Sequence, residues 1–260
     1  MRKFSTSVTL MFRELPALER FAAAKKAGFE KVEIQVLEAG PADMLRETQL
    51  AGVSVHLLNV GMGDFIQGGP GLIGVPGRET EFLGEVGKAL NVAKVLGIPL
   101  VHLGPSRVPP GTTRAACIAT MKNNVATAIA AARDFQVTLL LEPLNVADMP
   151  DVLMGNLDEA AAMIRSEFAG KLWLMLDIYH VVSNGQDVLA VYRCNKDLIK
   201  HVQFSDVPGR HEPGTGVIDF ATLFEGIESE GYAGYFGAEY QPSKLTGETF
   251  SWITPLGGRG

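Results

Sequence analysis

Cysteine is scarce in this chain. Of 260 residues only Cys117 and Cys194 carry a thiol, far apart and in no C-x-x-C spacing. That excludes a disulfide framework and a zinc ribbon, and it fits a protein of the reducing cytoplasm. Positive charge is short as well, with 23 Lys and Arg against 29 Asp and Glu and a formal net charge of −6. Phosphate backbones and anionic membranes are held by clustered Lys and Arg, and no such cluster is present, so nucleic acid and membrane surfaces are not expected partners. Nor is there an apolar run of the roughly 18 to 20 residues that crosses a bilayer. Behind the basic residues Arg2 and Lys3, Thr6, Ser7, Arg13 and Glu14 interrupt the stretch where a signal peptide would be apolar. No fixed-period repeat, low-complexity tract or G-x-G-x-x-G turn appears, and the last absence removes the support for a dinucleotide site.

What is present is an ordinary globular composition, 47% hydrophobic and 20% charged, able to build a large core. Short apolar runs alternate with helical stripes. Phe4–Leu10, Lys31–Val36, Val53–Asn59, Pro99–Leu103, Val137–Leu141, Leu172–Asp177, Ile199–Gln203 and Tyr235–Glu239 read as strands. Between them lie helical patterns such as Pro41–Ala51 closed by Gly52, and Phe82, Val86, Ala89, Leu90 and Ala93 closed by Gly97. Asn156 and Glu159 have the spacing of a capping box opening the fifth helix, and Val188–Cys194 gives a sixth. Eight strands alternating with helices predict an α/β fold, a (β/α)8 TIM barrel, as a single domain over residues 1–260. Residues 60–78, rich in Gly and Pro, fall where the third βα loop would lie, and ordered loops of that length at that face are usually functional.

Four of these strands end on oxygen-bearing side chains: Glu142, Asp177, Gln203 and Glu239. In a barrel such positions converge over the axis, and burying carboxylates together without a cation is costly. Oxygen donors around open positions suit Mg2+ or Mn2+ better than a closed zinc site. His180 follows Asp177 by one helical turn and can face the same point, Asp148 lies in the loop beyond Glu142, and Arg210 sits in the Gly/Pro-stiffened loop 206–216 where it can bind an anionic or polyhydroxylated substrate. His201 and Gln203, two apart on one strand, share a face, while His56 and His102 sit near the ends of strands three and four. Isolated strand histidines are more often hydrogen-bonded core or rim residues than ligands.

The segments Leu141-Glu142-Pro143-Leu144-Asn145, Asp177-Ile178-Tyr179-His180, His201-Val202-Gln203, Pro208-Gly209-Arg210-His211-Glu212-Pro213-Gly214-Thr215-Gly216 and Glu239-Tyr240-Gln241-Pro242 together resemble the hydroxypyruvate isomerase family of xylose-isomerase-like barrels. Ala27–Glu33 and Gly63-Asp64 agree, so the likeness runs over nearly the whole chain. The resemblance implies that Glu142 and Glu239 are paired acid/base groups, that these two with Asp177 and Gln203 are the metal positions, and that His180, Asp148 and Arg210 contact substrate. It implies a small 2-oxo or hydroxy acid, or a sugar, as substrate, and a homo-oligomer. Gln203 stands where sugar epimerases typically carry histidine, which favours the hydroxypyruvate isomerase branch over the alternative, a ketose 3-epimerase. Val217 departs from the acidic residue common in that branch. The apurinic endonucleases of the same superfamily need more histidine and carboxylate ligands and a basic groove than this chain offers.

Overall fold

The computed structural model describes residues 1–258, and its eight parallel strands close into a barrel in the order in which the sequence supplies them. The strands are β1 (Phe4–Ser7), β2 (Lys31–Ile34), β3 (Ser54–Asn59), β4 (Leu100–His102), β5 (Thr138–Leu141), β6 (Trp173–Asp177), β7 (Ile199–Phe204) and β8 (Phe236–Ala238). Around them run α1 (Arg20–Lys26), α2 (Pro41–Ala51), α3 (Glu79–Leu96), α4 (Arg114–Ala131), α5 (Leu157–Glu167), α6 (Ile178–Ser183), α7 (Val188–Asn195) and α8 (Phe220–Ser229). The closing pair, β1 with β8, sets Ser5 opposite Gly237, so no strand edge is left open.

Local chemistry explains the element ends. Gly52 and Gly97 adopt left-handed φ of 66° and 67° and stop α2 and α3, conformations a side chain would strain. The Asn156 side chain accepts the Glu159 N–H at 3.1 Å and caps α5. Only half of the expected capping box forms, because the Glu159 carboxylate turns outward to Arg114 instead. The helix expected at Val188–Cys194 is α7, and a further short helix, α6, precedes it directly after β6, with Gly185 at a φ of 71° between the two. β1 stops at Ser7, three residues short of the expected end, where the Ser7 hydroxyl accepts the Leu10 N–H and turns the chain.

The barrel interior is divided. Alternate strand residues face inward, and on β3 to β6 these are Leu57, Leu100, Leu140 and Met175, an apolar plug separate from the main core. The opposite wall is polar. Glu33 of β2 accepts from Ser5 at 2.6 Å and from the Gln203 amide at 2.7 Å, and it meets His201 Nε2 at 2.8 Å. Burial alone would raise the Glu33 carboxyl, but the charge of His201 and the hydrogen bonds from His201, Ser5 and Gln203 outweigh it and hold the pKa down at about 2.

This cluster requires a glycine on the neighbouring strand. A Cβ at Gly237 would lie 2.3 Å from Glu33 Oε1. Gly237→Ala is therefore expected to destabilise the fold by about 2 kcal/mol or more in denaturant unfolding. Gly84→Ala, at an exposed position inside α3 with nothing within 4 Å, should instead add about 0.5 to 1 kcal/mol. Equal stability of the Gly237 variant and the parent would show that the carboxylate has room to move.

Candidate active site and metal centre

The C-terminal ends of the strands gather the polar residues. β3 ends on Asn59, β4 on His102 and β6 on Asp177, while Glu142 and Glu239 each lie one residue beyond β5 and β8. Gln203 is the last but one residue of β7. With His180 and Arg210 from the following segments, Asn59, His102, Glu142 and Glu239 line a cavity of about 250 Å3. That volume suits a small molecule. A cavity of about 320 Å3 at the opposite end, lined in part by Lys3, Phe4, Phe29 and Tyr235, contains Glu30 as its one carboxylate. Size alone does not mark the site.

Three nearly buried carboxylates share the mouth with one guanidinium. Arg210 Nη2 lies 3.2 Å from Asp177 Oδ2 and also donates to Glu239 Oε2. Its plane is carried over the Tyr179 ring, with Cζ 5.2 Å from the centroid. Burial pushes the Glu142 carboxyl well up, and the charges of Glu239 and Asp177 push it further. Glu239 is likewise raised, mainly by burial, to about 7 despite Arg210 beside it, and burial also raises Asp177. Burial works against the charge of Arg210, but Glu239, Asp177 and Glu142 outweigh it and keep the guanidinium protonated.

The position of Arg210 is built by its loop. The Asp206 carboxylate accepts from the backbone N–H of Val207, Gly214, Gly216 and Ile218, which folds residues 206–218 around it. Arg210 itself has φ 56°, a left-handed backbone held by the Gln241 N–H donating to its carbonyl at 2.8 Å. Val217 at the loop's far side is 77% exposed, so its departure from an acidic residue removes no contact within this chain.

His180 is placed by Asn145. The Asn145 backbone N–H, which can only donate, reaches His180 Nδ1 at 3.1 Å, so Nε2 carries the imidazole hydrogen. That Nε2 stands 3.6 Å from Asp177 Oδ2 and 3.8 Å from Glu142 Oε1, with no hydrogen-bond partner of its own. Burial and the charge of Arg210 hold the ring neutral. Among the described residues, Glu142, Asp177 and His180 form the one group of three His, Cys, Asp or Glu whose ligand-type atoms lie within 4.8 Å of each other. The tautomer argues against His180 as the third ligand, since a protonated nitrogen has no lone pair to give. Gln203 meets the need better: its Nε2 is committed to Glu33, and its buried Oε1 has no partner. Glu142, Asp177 and Glu239 offer carboxylate oxygens and Gln203 an unpartnered amide oxygen, the donor types a hard divalent cation takes.

Asp148 lies apart from this group. It is not part of the cavity wall, and its carboxylate is used by the Tyr179 hydroxyl and the Asn145 side-chain amide, so it braces the residues that place Arg210 and His180. No sequence pattern marks Tyr179, whereas Asn59 obeys the same strand-end rule as Glu142 and His102 closes β4. Both ring nitrogens of His102 and the Asn59 Oδ1 are buried without partners, which leaves them available to a bound molecule. The 60–78 loop lies over this face: Met62, Phe65 and Ile66 line the cavity, and Asp64, bonded to Gly71 N–H and Arg78, closes the loop on itself.

Residues 21–256 match the family model described as xylose isomerase-like TIM barrel. The chain is 35% identical over 260 residues to the 2-oxo-tetronate isomerase of Cupriavidus necator, covering 100% of both. It is 30% identical over 256 residues to the hydroxypyruvate isomerase of Escherichia coli, covering 98% of this chain and 99% of that one. A crystal structure from Brucella melitensis, titled AP endonuclease, family 2, superposes with a TM-score of 0.92 at 32% identity, covering 98% of this chain and 99% of that one.

The raised carboxyls give the metal-free protein a distinctive pH response. A carboxyl with a folded pKa near 7 against 4.5 in its ordinary state contributes stability that is complete below about pH 4.5 and lost as pH rises through 7. The melting temperature of chelator-treated protein should therefore fall between about pH 4.5 and 7, and Mn2+ or Mg2+ should restore most of the loss at pH 7 and little at pH 4.5. Equal stabilisation by the ions at both pH values would count against the carboxylate donor set.

Proposed function

Because the chain belongs to the hydroxypyruvate isomerase family of xylose isomerase-like TIM barrels and is an isomerase, we propose that it interconverts hydroxypyruvate and tartronate semialdehyde, or a close 2-oxo acid such as a 2-oxotetronate. The observation that carries this reading is the convergence of Glu142 and Glu239 from β5 and β8 on one small cavity, with two fixed donors, His180 Nε2 and Arg210, beside them. Paired carboxylates at a carbon next to a carbonyl can remove and return one proton.

Glu142, Asp177, Gln203 and Glu239 would hold Mn2+ or Mg2+, which when bound polarises the substrate's carbonyl and adjacent oxygen and so acidifies the C–H bond between them. One of the two glutamates removes a proton from C3 of hydroxypyruvate, leaving the enediolate. The same or the opposing glutamate returns a proton to C2, and the C3 hydroxyl proton passes to the oxygen on C2. The carbon skeleton and oxidation level of the whole molecule are unchanged, as an isomerisation requires. His180 Nε2–H would donate to a substrate oxygen, and the neutral ring would not compete with the glutamates for the transferred proton.

The endonuclease title of the Brucella melitensis structure does not carry over as well. A formal net charge of −6 does not favour a DNA backbone, and the described residues hold one metal-type cluster rather than several.

Glu142→Gln and Glu239→Gln should each lower kcat by about a thousandfold or more with melting temperatures near or above that of the parent. In D2O, enzyme supplied with Mn2+ should label C3 of hydroxypyruvate and yield tartronate semialdehyde, both read by NMR. Near-normal turnover in both variants would sink the acid/base assignment. Exchange confined to C3 of neutral ketoses would instead favour the ketose 3-epimerase reading.

A further inference from the structure

A 2-oxo acid brings a carboxylate into a cavity that already holds Glu142 and Glu239, so some cation must receive it. Two arginines line the cavity, Arg107 and Arg210. Arg210 already faces two carboxylates, since its Nη2 serves Asp177 and Glu239, so its charge is balanced within the protein although its buried Nε has no partner. Arg107 is in a different position. Among the described residues it has no carboxylate partner: its Nη1 donates to the carbonyls of Phe65 and Gly69, at 2.9 and 2.7 Å, and its Cζ stands 4.0 Å above the Phe65 ring. Neutral carbonyls and a ring face orient a guanidinium without neutralising it.

The arginine is also held rigidly from behind. Its backbone N–H donates to Pro70 at 2.8 Å, and its strand bridge to Val152 ties the β4–α4 loop to the segment after β5. The guanidinium is thereby fixed in advance, and among the described residues its Nε and Nη2 make no hydrogen bond, the pair of donors that matches a carboxylate fork.

From this we infer that Arg107 is the residue that recognises the substrate's carboxylate and so sets the enzyme's preference for 2-oxo acids over neutral ketoses. The inference rests on the proposed function, because only an acidic substrate needs such a group. The carboxylate end of the substrate lies against Arg107 under the Phe65 side of the cavity, and the carbonyl end lies toward Glu142, Glu239 and His180. Arg107 takes no part in the proton transfer. It acts on which molecule is held, by a contact present in ground state and transition state alike.

A simple structural role makes a different prediction. If Arg107 only anchors the 60–78 loop through the two carbonyls, its loss should harm every substrate equally. The test compares hydroxypyruvate with dihydroxyacetone, the same three-carbon skeleton with CH2OH in place of the carboxylate, using metal-loaded parent, Arg107→Met and Arg107→Lys. The measured quantity is the ratio of kcat/KM for the acid to that for the neutral ketose, together with the inhibition constant of oxalate. For Arg107→Met the ratio should fall by about tenfold to a hundredfold, chiefly through KM for the acid, and oxalate inhibition should weaken in parallel. Arg107→Lys, which keeps the charge and loses the fork, should fall between. A ratio that stays at the parent value while both activities drop together would overturn the assignment and leave loop anchoring as the role. If the parent itself shows no preference for the acid, the proposed substrate class fails, and that outcome is read before any variant is made.

Discussion

Three carboxylates brought to the mouth of one barrel, with a single guanidinium between them, set the terms for everything around them. Glu142, Asp177 and Glu239 are each raised by burial, and Arg210 is held charged by the acids it touches. Such an arrangement is expensive without a cation. The chain invests in it heavily: Asp206 folds a whole loop to deliver Arg210, Tyr179 supports the guanidinium plane, and Asp148 and Asn145 hold Tyr179 and His180 in turn. A site this constrained is preorganised, and preorganisation is what lets fixed dipoles and charges act on a developing negative charge without first having to reorient.

The interior below the site shows how that constraint reaches down the barrel. The wall formed by β3 to β6 is apolar, and the facing wall carries Glu33, Ser5, His201 and Gln203. Glu33 is ionised and fully paired, and one of its partners is the amide of Gln203. Because the amide nitrogen is committed to Glu33, the amide oxygen is left unpartnered. An amide is ambiguous between donor and acceptor; a fixed anion behind it removes the ambiguity. Gly237 supplies the space in which that anion sits.

Much of this was legible in the sequence, for reasons that can be named. Alternation of apolar runs and 3.6-residue stripes gave the barrel, because each strand buried on both faces leaves an unbroken run and each covering helix leaves a stripe. Glu142, Asp177 and Glu239 stood out because a carboxylate directly after such a run has to be buried near the axis. His102 and Asn59 obey the same rule and were less visible, since neither type is costly enough to bury that its position alone demands a reason. Asp148 shows another limit: its loop position beside the site does not reveal that its Oδ2 accepts from both Tyr179 and Asn145.

The fold class and the strand-end oxygens follow from local pattern and composition, and so are written in the sequence alone. Tertiary structure alone decided which nitrogen of His180 carries the hydrogen, which way the Gln203 amide faces, and which arginine is already paired. Those choices depend on single contacts between residues remote in the chain, such as Asn145 with His180 and Glu33 with Gln203, separated by 35 and 170 positions. No periodicity records such a contact, because hydrogen-bond partners are set by where closure of the barrel brings the strands together, and only the closed barrel fixes that distance.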